Sequence, residues 1–154
     1  MNMAIAALAA ALLTQSVPAA GADGHGTADE ARALVNKAIA KIKADGREAA
    51  FAAFENKDGG FVDRDLYIFV FDFDGKVLSH GANKELIGKN LVTMQLKDAD
   101  GKLFAEAFIE VAKAKGEGWV DYKWLNPVTK EVEAKSSFVK KAGDNMLVGC
   151  GFYK

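Results

Sequence analysis

The sequence predicts an α+β domain, and three observations carry that prediction. Apolar residues recur at helical spacing from Ala31 to Phe54 and at strand spacing from Leu66 onward. The strands of the last third follow one another through short turns, which makes hairpins rather than the helical crossovers of a parallel sheet. The 154 residues, 50% hydrophobic and 27% charged, have the balance of one globular domain.

The chain opens with a ten-residue apolar run, Ala4 to Leu13, too short for the ~20 residues that a membrane-spanning helix needs. Pro18 and the pattern Ala20-Gly21-Ala22 follow, so residues 1–22 read as a secretory signal peptide cleaved after Ala22. That leaves 23–154 as a single domain, expected to be periplasmic or secreted. Asp23 to Gly26 reads as a polar leader with His25 in solvent. Thr27 and Glu30 form a capping box, and a helix follows with Ala31, Leu34, Val35, Ala38, Ile39 and Ile42 along one face. Gly46 breaks it, and a second helical piece runs from Arg47 to Phe54.

From Leu66 the run LYIFVFDF is rich in strand formers, and Asp74-Gly75 turns it back into Val77-Leu78. Residues 81–102, rich in Gly, Asn and Asp, read as a long ordered connection of the kind that covers binding sites. Leu103, Phe104, Ala107, Phe108, Val111 and Ala112 give a further helix, ended by Gly116. Three strands close the chain: GWVDYKWL, EVEAKSSFVKK and MLVGCGFY, with turns at Asn126-Pro127 and Gly143-Asp144-Asn145. The sum is about five antiparallel strands, with a long N-terminal helix for one face and a helix and loops for the other.

Several function classes drop out. Twenty basic against 21 acidic residues give a net charge of -1, so no field gathers nucleic acid. One cysteine, Cys150, and two histidines, His25 and His80, supply no metal framework, and no cofactor motif occurs. Asp72-Phe73-Asp74-Gly75 and Asp98-Ala99-Asp100-Gly101 lack the remaining acids of a calcium loop and read as turns. No nucleophile, base and orienting group assemble in the sequence, so no catalytic residue is assigned and the chain is not read as an enzyme. Cys150 reads as a buried thiol.

Four stretches then resemble one family, the single Cache sensor domains, extracytoplasmic relatives of PAS domains. They are YIFVFDFDGKVLSHGANKELIGKN (Tyr67 to Asn90), KAKGEGWVDYKW (Lys113 to Trp124), and AKSSFVK with GCGFY (Ala134 to Lys140, Gly149 to Tyr153). The order and spacing of all of them carry the resemblance, which spans roughly Asp29 to Tyr153. Two positions depart from the family's habit: Phe138 stands where a tyrosine is frequent, and Gly81 follows His80 where a proline is frequent. The chain stops at Lys154, directly after its last strand, so the resemblance implies a sensor-type domain without its own transmembrane or signalling module.

Alternation puts Tyr67, Phe69 and Phe71 on one side of the first strand, Tyr122 and Trp124 on one side of the third, and Lys135 and Ser137 on one side of the fourth. The resemblance implies that these are the sides offered to a small ligand. The residues then suit a short organic acid. Lys135 neutralises the carboxylate, Tyr122, Ser137 and His80 donate hydrogen bonds, Trp124 with Phe69 packs the alkyl part, and Tyr67 is a further ligand-binding candidate on the same face as Phe69. Each residue also has a plainer reading: Lys135 as a solvated edge residue, the aromatics as core, and His80 as a turn residue satisfying backbone groups. At a ceiling of roughly 1.5 kcal/mol per heavy atom, a ligand of about six atoms gains at most ~9 kcal/mol, so micromolar affinity is expected. The implied partners are the ligand and a membrane receptor or sensor kinase, with the protein itself a monomer or homodimer. The alternative is a ligand-free Cache-fold module that dimerises or docks on a membrane sensor.

Overall fold

A computed structural model describes residues 24–154, so the signal peptide expected at 1–22 lies outside the described residues. Helix α1 (Ala28–Asp45) starts at the capping box, with Thr27 accepting from the Glu30 amide and Glu30 accepting from the Thr27 amide. Gly46, at φ 86°, closes it and launches α2 (Arg47–Glu55). A positive φ there is open to glycine at little cost, which is why the helix bends at this residue.

The run from Leu66 is not one strand. It divides into β2 (Leu66–Tyr67), which pairs with a two-residue β1 (Val62–Asp63), and β3 (Phe69–Asp72), which joins the main sheet beside β4 (Val77–His80). A short 3-10 turn (Lys84–Leu86) lies in the long connection, and α3 (Phe104–Lys115) precedes β5 (Glu117–Leu125), β6 (Val132–Ala142) and β7 (Met146–Tyr153). The main sheet is five-stranded and antiparallel, in the order β4-β3-β7-β6-β5. The first hairpin therefore docks on the last strand and closes the sheet over the whole length of the chain.

Each face of the sheet has its own core. Ile68, Val70, Phe138, Val148 and Cys150 meet α1 and α2 through Ala31, Val35, Ala38 and Phe54. Phe69, Phe71, Tyr122, Val139 and Leu147 meet α3 through Phe104, Phe108 and Ala112. The period-2 pattern thus produces a helix layer, a sheet, and a second layer of helix and loops. Asp72 and Asp98 each accept two backbone N–H groups two and four residues on, so both acidic strings are turns held by their first aspartate.

His25 was expected in solvent, and here the structure corrects the sequence: it is half-buried. Gly26 is buried and donates to Asp65 at 2.6 Å, and His25 Nδ1 lies 3.4 Å from the same carboxylate. Arg64 reinforces the tie by donating to the His25 carbonyl and to Glu30. Asp65 is 1% exposed and also accepts from the Tyr153 amide, so one buried carboxylate holds both ends of the described chain.

Candidate functional site

Strand register places the site. Tyr122 on β5 faces Lys135 on β6, and Lys135 faces Tyr153 on β7. One row further on the same face, Ser137 sits between Val120 and Gly151, and on the next such row Phe69 sits between Gly149 and His80. The glycines are the reason these rows close. A Cβ on Gly151 would run into Ser137 Oγ and come within 2.6 Å of Lys135 Cε, and one on Gly149 would strike the Phe69 ring. With hydrogen in those places, the Lys135 stem crosses the strand toward β2.

Its ammonium ends among rings. Nζ donates to the Tyr67 hydroxyl at 2.7 Å and lies 4.1 Å from the Tyr67 centroid, 4.9 Å from Tyr153, and 5.9 Å from both Phe69 and Tyr122. Lys135 is 1% exposed, and among the described residues no carboxylate reaches it within ion-pair distance. Burial pulls its pKa from 10.5 to about 7, with Cys150 and Asp65 acting weakly the other way. Cation–π contacts offset part of the lost hydration but supply no counter-ion.

Beside this group lies a cavity of about 10 Å³, room for about one water. Tyr67, Phe69, His80, Tyr122 and Trp124 line it, so five of the residues singled out in the sequence come together there. Lys135 and Ser137 stand one layer behind, Lys135 beyond the Tyr67 and Tyr122 rings and Ser137 hydrogen-bonded to the Tyr122 hydroxyl at 3.0 Å. Lys135 is therefore no solvated edge residue. Phe71, Leu86, Leu91, Phe104 and Phe108 complete the wall, and Tyr153 adds its ring to the ammonium cage. The spacing of Phe104 and Phe108, four apart on α3, and of Tyr153, two beyond Gly151, was the available signal for these.

His80 fills the turn role that the sequence left open, and its ring also faces the cavity. Its Nδ1 accepts the amides of Ala82 at 3.2 Å and Asn83 at 2.9 Å, so the ring proton sits on Nε2, while the ring itself lines the cavity 5.0 Å from Tyr67. Burial, and then the nearby Lys135, push its pKa down to about 3. The neutral ring thus offers the site one fixed N–H donor. Burial likewise raises Tyr67 and Tyr122 well above the ordinary phenol range, so both stay protonated donors. On the opposite face Cys150 is buried, its thiol pushed up to about 12.

A five-stranded antiparallel sheet between a helix layer and a layer of helix and loops, with an aromatic cavity on one face, is the PAS-like architecture of Cache domains. The chain belongs to the family described as Single Cache domain 2, whose model matches residues 7–154 and so begins inside the segment read as a signal peptide. Two curated relatives are signalling receptors. The sensor histidine kinase MctS of Rhizobium johnstonii is 36% identical over 91 residues, 58% of this chain and 19% of that protein. The methyl-accepting chemotaxis protein McpP of Pseudomonas putida is 28% identical over 92 residues, 59% of this chain and 16% of that one. The matched region is thus under a fifth of either relative's length.

Among solved structures, a periplasmic sensor domain of a chemotaxis protein is 30% identical, with TM-score 0.62, covering 81% of this chain and 88% of that one. A methyl-accepting chemotaxis protein from Vibrio parahaemolyticus shares the fold at TM-score 0.71 and 22% identity, covering 81% of this chain and 86% of that one. A Cache chemosensory domain described for its carboxylic acid recognition does so at TM-score 0.62 and 23% identity, covering 79% and 84%.

Proposed function

We propose that this domain, exported behind residues 1–22, binds a short monocarboxylate over its sheet and reports it to a membrane receptor or sensor kinase. The observation that carries the reading is the buried Lys135 ammonium, which has one phenol as its hydrogen-bond partner and no carboxylate within ion-pair distance among the described residues. A bound carboxylate supplies the missing counter-ion. Entering between Tyr67 and Tyr122, it meets Nζ, two phenols and the Nε2–H of His80, while Phe104, Phe108 and Trp124 take its alkyl end. A second carboxylate would face those rings, which selects for one acid group. The relative described for carboxylic acid recognition supports the ligand class, and the kinase and chemoreceptor relatives support the partner. The role is binding without bond chemistry.

Because the cavity holds about one water, the walls must part for any acid, and Trp124 and Leu86, both half-buried, are the ones free to move. The same small volume favours a second reading, a ligand-free module that docks on a membrane sensor. A thermal-shift screen of residues 23–154 against mono-, keto- and dicarboxylates, amines and amino acids separates the two. A saturable rise for monocarboxylates that vanishes in Lys135→Ala supports the sensor. A flat panel, with a protein shown to retain no cellular ligand, supports the docking module.

A further inference from the structure

Tyr67 lines both the inner cavity and a surface groove of about 320 Å³ whose rim carries Lys57, Arg64 and Lys130. We propose that this groove is an outer anion-binding site, the vestibule through which a carboxylate reaches Lys135, and this rests on the monocarboxylate reading above.

No acidic residue lines the groove. The charge of Arg64 is answered by Glu30 and Asp63, but both of those line a different groove on the α1 side. Lys57 and Lys130 are exposed and have no ion pair or hydrogen-bonded acid among the described residues, so their charges are free to act on an incoming anion. Backbone strain points to the same place. The described residues hold three non-glycine residues at positive φ, and two of them, Arg64 at 55° and Lys130 at 63°, lie on this rim. Such conformations persist where surrounding structure holds them, and they concentrate at binding sites. Here Arg64 is held by its hydrogen bonds to the His25 carbonyl and Glu30, and Lys130 by the hydrogen bond its backbone N–H donates to the Asn126 carbonyl.

The groove also leads to the right atom. Its inner wall is the phenol that receives the Lys135 hydrogen bond. An anion concentrated at the rim thus stands one ring from the buried ammonium, and a local field of two free lysines raises its arrival rate without adding to its final contacts.

The test is the association kinetics of acetate and propionate, followed by intrinsic tryptophan fluorescence in stopped flow at several salt concentrations. Trp124 lines the cavity and reports filling. In the double variant Lys57→Gln, Lys130→Gln the association rate at low salt is expected to fall about fivefold and to lose most of its salt dependence, with dissociation changed by less than about twofold. Both side chains are exposed, so an unchanged melting temperature confirms an intact fold. Equal association rates and salt slopes in wild type and variant overturn the vestibule. Absence of saturable binding in the wild type overturns the monocarboxylate reading itself, so the two failures look different.

Discussion

Replacing Lys135 with methionine is expected to stabilise the ligand-free domain and to make it blind to carboxylates. In the unfolded chain the amine keeps its pKa of 10.5, while burial in the fold lowers it to about 7. Between those values the unfolded chain holds a proton that the folded chain has shed, so stability rises with pH across that window. Below about 7 both states hold the proton and the full penalty of burying the charge remains. The gap corresponds to about 5 kcal/mol. Methionine keeps an unbranched stem of similar size without the charge, but it leaves the Tyr67 hydroxyl short of a partner, at about 1–3 kcal/mol. The variant should therefore be more stable than wild type by about 2–4 kcal/mol at pH 6, or roughly 5–10 °C in melting temperature, with the advantage gone near pH 10. Thermal melts of both proteins from pH 6 to 10, with and without propionate, read this directly. A variant less stable than wild type at pH 6, or a gap that does not close as pH rises, refutes the reasoning.

Two further outcomes follow from the same geometry. A bound carboxylate favours the charged amine, so calorimetry in buffers of different ionisation enthalpy should show uptake of close to one proton per ligand at pH 8 and close to none at pH 5.5. Gly151→Ala places a methyl against Ser137 Oγ and Lys135 Cε. It should lower stability by about 1–3 kcal/mol and abolish binding, whereas the same change at Gly143, which has open space around it, should leave binding intact.

How much of this was legible in the chain depends on the distance between cause and effect. The capping box at Thr27, the break at Gly46 and the alternation of Lys135 with Ser137 are local, and the structure follows each of them. The single strand expected from Leu66 failed because its two halves answer to different partners, β1 for Leu66–Tyr67 and β7 for Phe69–Asp72. Continuous hydrophobicity does not report such a change of partner. Five of the seven singled-out residues line the cavity, yet alternation could not show that Lys135 lies behind the rings, since depth depends on the glycines across the strand pair. His25 was misread for a similar reason. The structure of its segment depends on Asp65, 39 residues away in sequence from Gly26.

That aspartate gives the last prediction, which concerns how the site touches the two ends of the described residues. Asp65 accepts from Gly26 and Tyr153, and the Tyr153 ring packs 4.9 Å from the Lys135 ammonium. Any shift of that ammonium on pairing with a ligand is therefore felt one residue from the carboxylate that pins both ends. Asp65→Ala strands two buried N–H groups and should reduce stability by about 2–5 kcal/mol, while Asp65→Asn, which retains one acceptor oxygen, should lose about half as much. Hydrogen exchange distinguishes a shared pin from two independent ones. In Asp65→Ala the amides of Gly26 and Tyr153 should lose protection together, ahead of those of β3 and β6. If either amide keeps wild-type protection, Asp65 does not couple Gly26 to Tyr153.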